Sequence, residues 1–180
     1  MITEVVLVDE QDQPLGRMEK MEAHQQGKLH RAFSIFIFNR KGEMLLQQRA
    51  RGKYHSGGLW SNACCGHPLP GEETANAAKR RLKEELGFET GIEKIFDLTY
   101  KTDFNNGLKE HEFDHVFAGY YDGGVNFDPA EVMAISYQSL EEISHSLRSA
   151  PELYSVWFRL IFPRIMSWSS DKISITIPKT

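Results

Sequence analysis

Cysteine is scarce in this chain, and its placement is unusual. The only two, Cys64 and Cys65, stand side by side in SNACCGHP. Adjacent thiols do not readily pair with each other and there is no third, so a disulfide framework is excluded and a reducing, cytoplasmic setting is expected. No run of ~18 apolar residues occurs, which excludes a transmembrane helix. The N-terminal MITEVVLVDEQDQP lacks a basic region and a small-residue cleavage site, so it does not read as a signal peptide. An excess of positive charge is also missing: 21 Lys and Arg against 25 Asp and Glu give a net charge of -4, which argues for neither nucleic acid nor membrane as partner. Repeats, low-complexity tracts and long linkers are absent too. What remains is an ordinary globular composition, 41% hydrophobic and 26% charged, in a chain read as a single domain over residues 1–180 and as a monomer.

The pattern along the chain is α+β. EVVLVDEQDQPLG reads as a strand and a turn, and MEKMEAHQQGKL as a helical segment broken by Gly27. Ala32–Phe38 and Met44–Gln48 read as strands about the turn Asn39–Gly42. The Gly/Pro-rich YHSGGLWSNACCGHPLPGE is loop, with room for a short strand at Leu59–Asn62. Thr74–Leu86 is rich in helix formers, has acids at its N-terminal end and Gly87 as its stop. IEKIFDLTYKTDF and HEFDHVFAGYY read as paired strands around Asn105–Gly107, AEVMAISYQ as another strand, and SLEEISHSLRSA as a helix. PELYSVWFRLIFPRIMSW starts with Pro at a first helical position, and Pro163 is expected to kink or divide the helix. DKISITIPKT reads as a short strand or tail. The sum is antiparallel or mixed sheet flanked by helices.

The best motif follows the cysteines. GHPLPGEETANAAKRRLKEELGF sets Gly66, Glu72, Arg80, Arg81, Leu82, Glu84, Glu85, Gly87 and Phe88 at fixed spacing. Residues 81 and 85 lie one turn apart on one helix face. A carboxylate there suits Mg²⁺, a hard cation that bridges to phosphate, and a guanidinium beside it suits the diphosphate. The bland alternative is a solvated helix with Arg80–Glu84 and Arg81–Glu85 ion pairs of ~0.3–0.5 kcal/mol each. The full spacing resembles the Nudix box, here residues 66–88, a loop–helix–loop that binds divalent metal and diphosphate. That pattern has Arg-Glu where this chain has Arg80-Arg81. Arg81 thus replaces a metal ligand with a phosphate binder, as expected of a site that holds a diphosphate without cutting it.

A second group of residues gains meaning from the whole chain. His24, His30, His67, Glu110 and Glu112 are candidate ligands for a transition metal, and Glu110 and Glu112, two apart on one strand, share a face while His111 points the other way. By spacing alone a lone histidine is ordinarily a surface residue. But FSIFIFNRKGEMLLQQRA, GLWSNACCGHPLPGE, RRLKEELG, YKTDFNNGLKEHEFDHVF and EVMAISY together resemble the type I isopentenyl-diphosphate isomerases of the Nudix superfamily along nearly the whole chain. NACCGHP is similar to that family's N-x-x-C-G-H-P motif and EHE to its E-x-E motif.

The resemblance implies a Nudix-like fold and a set of roles. Cys65 and Glu112 would be the catalytic pair, with Tyr100 bonded to Glu112 and Trp157 stabilising positive charge. His24, His30, His67, Glu110 and Glu112 would hold one Zn²⁺ or Mn²⁺. Glu85 and the backbone carbonyl of Cys65 would hold Mg²⁺. Lys20, Arg49, Lys53 and Arg81 would bind the diphosphate. The implied reaction moves a double bond in a five-carbon isoprenoid diphosphate between isopentenyl and dimethylallyl forms, by protonation at C4 and loss of a proton from C2. The nearby cations are expected to lower the pKa of Cys65, and Gly66 to let the backbone turn sharply after it. Cys64 reads as a small core residue, His55, His111, His115 and His145 have no assigned role, and Glu131 reads as part of a turn. Two other readings stand beside this one: a Nudix hydrolase of nucleoside diphosphate derivatives, and a non-catalytic Nudix-fold binding module.

Overall fold

The computed structural model describes residues 3–176, with side chains through residue 169. Nine strands form one mixed sheet among the described residues. Its centre is β3 (His30–Phe38). This strand is apolar almost without interruption because both of its faces are covered. Phe33, Ile35 and Ile37 pack with Ala77, Leu82 and Leu86 of α2 (Thr74–Leu86), while Phe36 and Phe38 pack with Trp157, Phe158 and Ile161 of α4 (Val156–Thr176). One face of the sheet thus carries α2 and the other α4, with Ile143 of α3 (Leu140–Ser149) in the α4 layer.

The register around β3 positions the site. β8 (Lys109–Tyr120) runs parallel to β3 from His30↔Glu112 to Phe38↔Tyr120. β7 (Ile92–Asp103) pairs antiparallel with β8 and sets Tyr100 opposite Glu112. On the other edge β6 (Cys64–Gly66) pairs antiparallel with β3, Ser34 opposite Cys65. β4 (Met44–Arg49) pairs with β5 (Trp60–Ser61) and with β9 (Val132–Gln138), and meets β3 only at Phe38↔Met44.

Several expectations change. The stretch read as a turn after β1 (Glu4–Val8) contains a further strand, β2 (Pro14–Glu19), which pairs with β1. The helical segment is α1 (Lys20–Gln26), closed by Gly27 in the left-handed conformation. Pro151 opens a separate 3-10 turn, and α4 begins only at Val156, because Ser155 N–H is bonded to the Trp60 carbonyl at 2.9 Å. Pro163 neither divides nor ends α4. It lies on the solvent side along with Arg159, so water can satisfy the Arg159 carbonyl that loses its partner, while Ile161, Phe162 and Ile165 are buried on the other side. The helix runs on to Thr176 through most of the segment read as a strand or tail, whose last four residues lie outside those described. Gly87 is where the sequence put the stop of α2, at φ +74°; a Cβ there would come within 2.3 Å of the Asn126 carbonyl oxygen.

Candidate active site

Two adjacent cysteines on a strand must face opposite ways. Cys64 is fully buried against α2, as expected of a core residue, and Cys65 is half-buried and faces a cavity of about 370 Å³. Gly66 does not supply a sharp turn. It closes β6, and a Cβ there would come within 3.1 Å of the Phe33 ring. Asn62 ties this segment together: its amide donates to the carbonyls of Ile35 and Cys64, and its oxygen accepts from Trp157 Nε1 at 3.2 Å.

The cavity gathers every side chain singled out above except His24 and His30, which pack behind its wall. At one end are the cations. Lys20 Nζ lies over the Tyr54 ring, 4.3 Å from its centroid. The Arg49 guanidinium sits over Trp157 at 5.0 Å, 3.9 Å from Cys65 Sγ, and donates to the His55 carbonyl. Arg81 donates to Glu84 and, at 2.5 Å, to Glu85; the simple ion pairs of the bland reading, Arg80–Glu84 included, therefore exist. Glu85 is buried and also accepts from Gln47. Glu131 is no mere turn residue. Its carboxylate meets Lys53 and lies 3.3 Å from Arg81, and its backbone carbonyl holds Ala50 N–H.

At the other end are the imidazoles and the paired carboxylates. His24, His30, His67, Glu110 and Glu112 each offer a ligand atom, and these atoms all lie within 4.8 Å of one another. The tautomers suit metal binding. His24 Nδ1 is 2.6 Å from the Lys20 carbonyl and His30 Nδ1 is 2.8 Å from that of Lys28. A carbonyl only accepts, so each Nδ1 carries the proton and each Nε2 presents a lone pair inward. His24 Nε2 and Glu110 Oε2, 3.4 Å apart, are buried without a hydrogen-bond partner among the described residues. Such atoms are costly unless something else satisfies them. Burial, together with the Glu112 charge, pushes Glu110 up to about 7. Burial raises Glu112 as well, but the His30 and His67 imidazoles against its Oε1 outweigh it and hold this carboxyl well below its usual range. Burial keeps His67 neutral, down to about 3. Three inward-facing imidazole nitrogens and two crowded carboxylates fit a divalent metal. His111 faces away, toward the Gly27 carbonyl.

Tyr100 donates to Glu112 Oε2 at 2.5 Å, in the cavity wall. At Cys65 burial opposes the neighbouring cations: it pushes the thiol up to about 12, and Arg49 offsets only part of this. Sequence reasoning also missed His55, whose Nε2 lies 2.6 Å from Glu110 Oε1. Nothing local in YHSGG signals this, since the approach is made by a loop across the sheet.

No helix among the described residues is long and apolar enough to cross a membrane. The family model for the NUDIX domain matches residues 28–159. Among solved structures, a Deinococcus radiodurans protein superposes with a TM-score of 0.76 at 17% identity, covering 89% of this chain and 98% of its own. The MutT protein of Methanosarcina mazei superposes with a TM-score of 0.65 at 24% identity, covering 78% and 95%. These show the fold alone. Curated relatives carry more: the isopentenyl-diphosphate Delta-isomerase of Pectobacterium atrosepticum is 54% identical over 95% of this chain and 96% of its own, and isopentenyl-diphosphate Delta-isomerase 2 of Aromatoleum aromaticum is 50% identical over 93% and 88%. With the Nudix helix in place and this identity sustained end to end, the chain belongs to the isopentenyl-diphosphate Delta-isomerase family of NUDIX-fold proteins.

Proposed function

We propose that this protein interconverts isopentenyl and dimethylallyl diphosphate. The observation that carries the reading is one cavity lined by Lys20, Arg49, Lys53 and Arg81 together with Cys65, Glu112, Tyr100 and Trp157, in a chain about half identical to named isomerases. Lys20, Arg49, Lys53 and Arg81 hold the diphosphate, and Glu85 with the Cys65 carbonyl holds a Mg²⁺ that neutralises it. The five-carbon tail then reaches the buried end, where water is excluded.

An unactivated alkene is a poor base, so proton donor and acceptor must be fixed on either side of C2–C4. In the direction toward dimethylallyl diphosphate, Glu112, steadied by Tyr100, protonates C4 and Cys65 removes the C2 proton. Trp157 faces the positive charge at C3, as it already faces the Arg49 guanidinium. In the reverse direction the same two groups exchange tasks. His24, His30, His67, Glu110 and Glu112 hold a Zn²⁺ or Mn²⁺, which supplies positive charge that tunes the Glu112 carboxyl. A hydrolase reading is weaker, because Arg81 occupies a place where the box would supply a carboxylate to the metal cluster. Incubation with isopentenyl diphosphate in D₂O with Mg²⁺, followed by proton NMR, tests the proposal. Deuterium entering the new methyl group of dimethylallyl diphosphate is expected; phosphate release without isomerisation would overturn it.

A further inference from the structure

His55 stands outside the five-residue metal group, yet it is built into its back wall. Its side chain and that of Glu110 are each only 4% exposed, with Nε2 2.6 Å from Glu110 Oε1. Nε2 makes no hydrogen bond of acceptable angle in this placement. At that separation two lone pairs would repel, so one of the two atoms carries a proton, and beside a Glu110 that ligates metal as carboxylate that atom would be Nε2. Ser56 Oγ, 3.3 Å from Nδ1, can donate to that other nitrogen. The ring is locked in place: it stacks on Phe104 at 4.6 Å and 12°, and meets the Trp157 ring edge-on at 5.6 Å. The loop is shaped to present it. Ser56 takes a positive φ of 53°, uncommon for a residue with a side chain, and a Cβ on Gly57 would come within 2.6 Å of the Arg51 carbonyl oxygen.

We infer that His55 is a positioning residue for the metal: by engaging Glu110 through Oε1, it turns Oε2 toward His24 Nε2, the two buried atoms left without partners. Outer-shell donors to a ligating carboxylate tune affinity in this way, by about 10- to 100-fold. The same loop carries Lys53 and is held by Arg49 through the His55 carbonyl, so it joins the diphosphate end of the cavity to the metal end. This inference rests on the metal reading of the His/Glu group.

The test is metal retention under competition with a chromophoric chelator, with Co²⁺ as probe, for the full chain and the variants His55→Phe and His55→Gln. Phe keeps a flat ring against Phe104 but removes the donor; Gln restores an N–H. Expected are a loss of affinity of about 10- to 100-fold for His55→Phe, partial recovery for His55→Gln, and an unchanged Co²⁺ coordination number at saturation. Pyrophosphate affinity in the presence of Mg²⁺ should match wild type in both, which also reports that the variants are folded. Wild-type retention by His55→Phe would overturn the inference while leaving the metal reading intact. Loss of one imidazole from the saturated Co²⁺ spectrum would overturn it in favour of direct ligation. A wild-type chain that binds no metal would defeat the metal reading itself, and this inference with it.

Discussion

Replacing Tyr100 by Phe removes one oxygen atom and little else. The ring sits in the core with Val116 and Trp157, so the variant leaves no large cavity. What disappears is the 2.5 Å hydrogen bond to Glu112 Oε2, made between two buried groups that face each other across β7 and β8. His67 and His30 approach the other oxygen, Oε1, at 2.8 and 3.6 Å and cannot replace it. A charge-assisted hydrogen bond of this kind contributes ~1.5–3 kcal/mol. If it acts in the proton transfer, its loss should lower kcat by about 10- to 150-fold, since each 1.36 kcal/mol is a factor of ten. The diphosphate end of the cavity is untouched, so KM should stay within about twofold of wild type. Steady-state conversion of isopentenyl diphosphate, with a thermal melt on the same sample, measures both. A kcat within threefold of wild type, or a loss carried by KM alone, would refute the assignment of Tyr100 to Glu112 chemistry.

Cys65→Ala should lose at least ~10²-fold in turnover, the usual effect of removing an acid or base, while Cys64→Ala stays within a few-fold; a dead Cys64→Ala would reverse the assignment. An alkylating epoxide analogue of the substrate should label Cys65 alone, as mass spectrometry of the digested protein would show. Glu85→Gln should weaken Mg²⁺ and diphosphate binding together, and Arg81→Glu should abolish isomerisation; calorimetry with pyrophosphate and turnover assays check each. Burial first, and then Lys94, lower the pKa of His115, with Asp12 and Asp97 opposing them. Its folded pKa thus lies below the unfolded value of about 6.5, so its contribution to stability is complete above that pH and is lost as pH falls through the folded pKa. Urea melts should show stability dropping below about pH 6.5, and less so in His115→Gln; equal slopes would exclude the effect.

Much of the site could be read from the sequence because its chemistry is locally encoded. The helix α2 has its formers, its stop and its charged face within one stretch, and it spans Thr74–Leu86 as the pattern predicts. The resemblance of NACCGHP and EHE to family motifs singles out residues that the β3–β8 and β7–β8 registers then bring together. The strand β2 was hidden because its side chains are mostly exposed, so no apolar alternation marks it. His55 and Glu131 were hidden for another reason. Glu131 reaches the cavity through a backbone bond made far along the chain, its carbonyl to Ala50 N–H, and His55 through a contact with the distant Glu110. The burial of Cys65 could not be read from composition either, and it opposes the cations nearby in setting the thiol's pKa.

The parallel pairing of β3 with β8 has a consequence for how the protein is made. His30 cannot meet Glu112 until the ribosome has released all the chain between them. At ~5–20 residues per second this is a wait of several seconds. During that time the apolar run from Phe33 to Phe38 has no β8 beside it and, until Trp157 and Phe158 emerge still later, no α4 above its second face. Long-range parallel pairing is slow to form and leaves strand edges open to other chains. Metal cannot shorten the wait, because two of the five candidate ligands, Glu110 and Glu112, arrive on the late strand. On the metal reading, ion capture would therefore come late in biogenesis. A nascent chain truncated after α2 would hold three of the five candidate ligands, His24, His30 and His67, and no complete site.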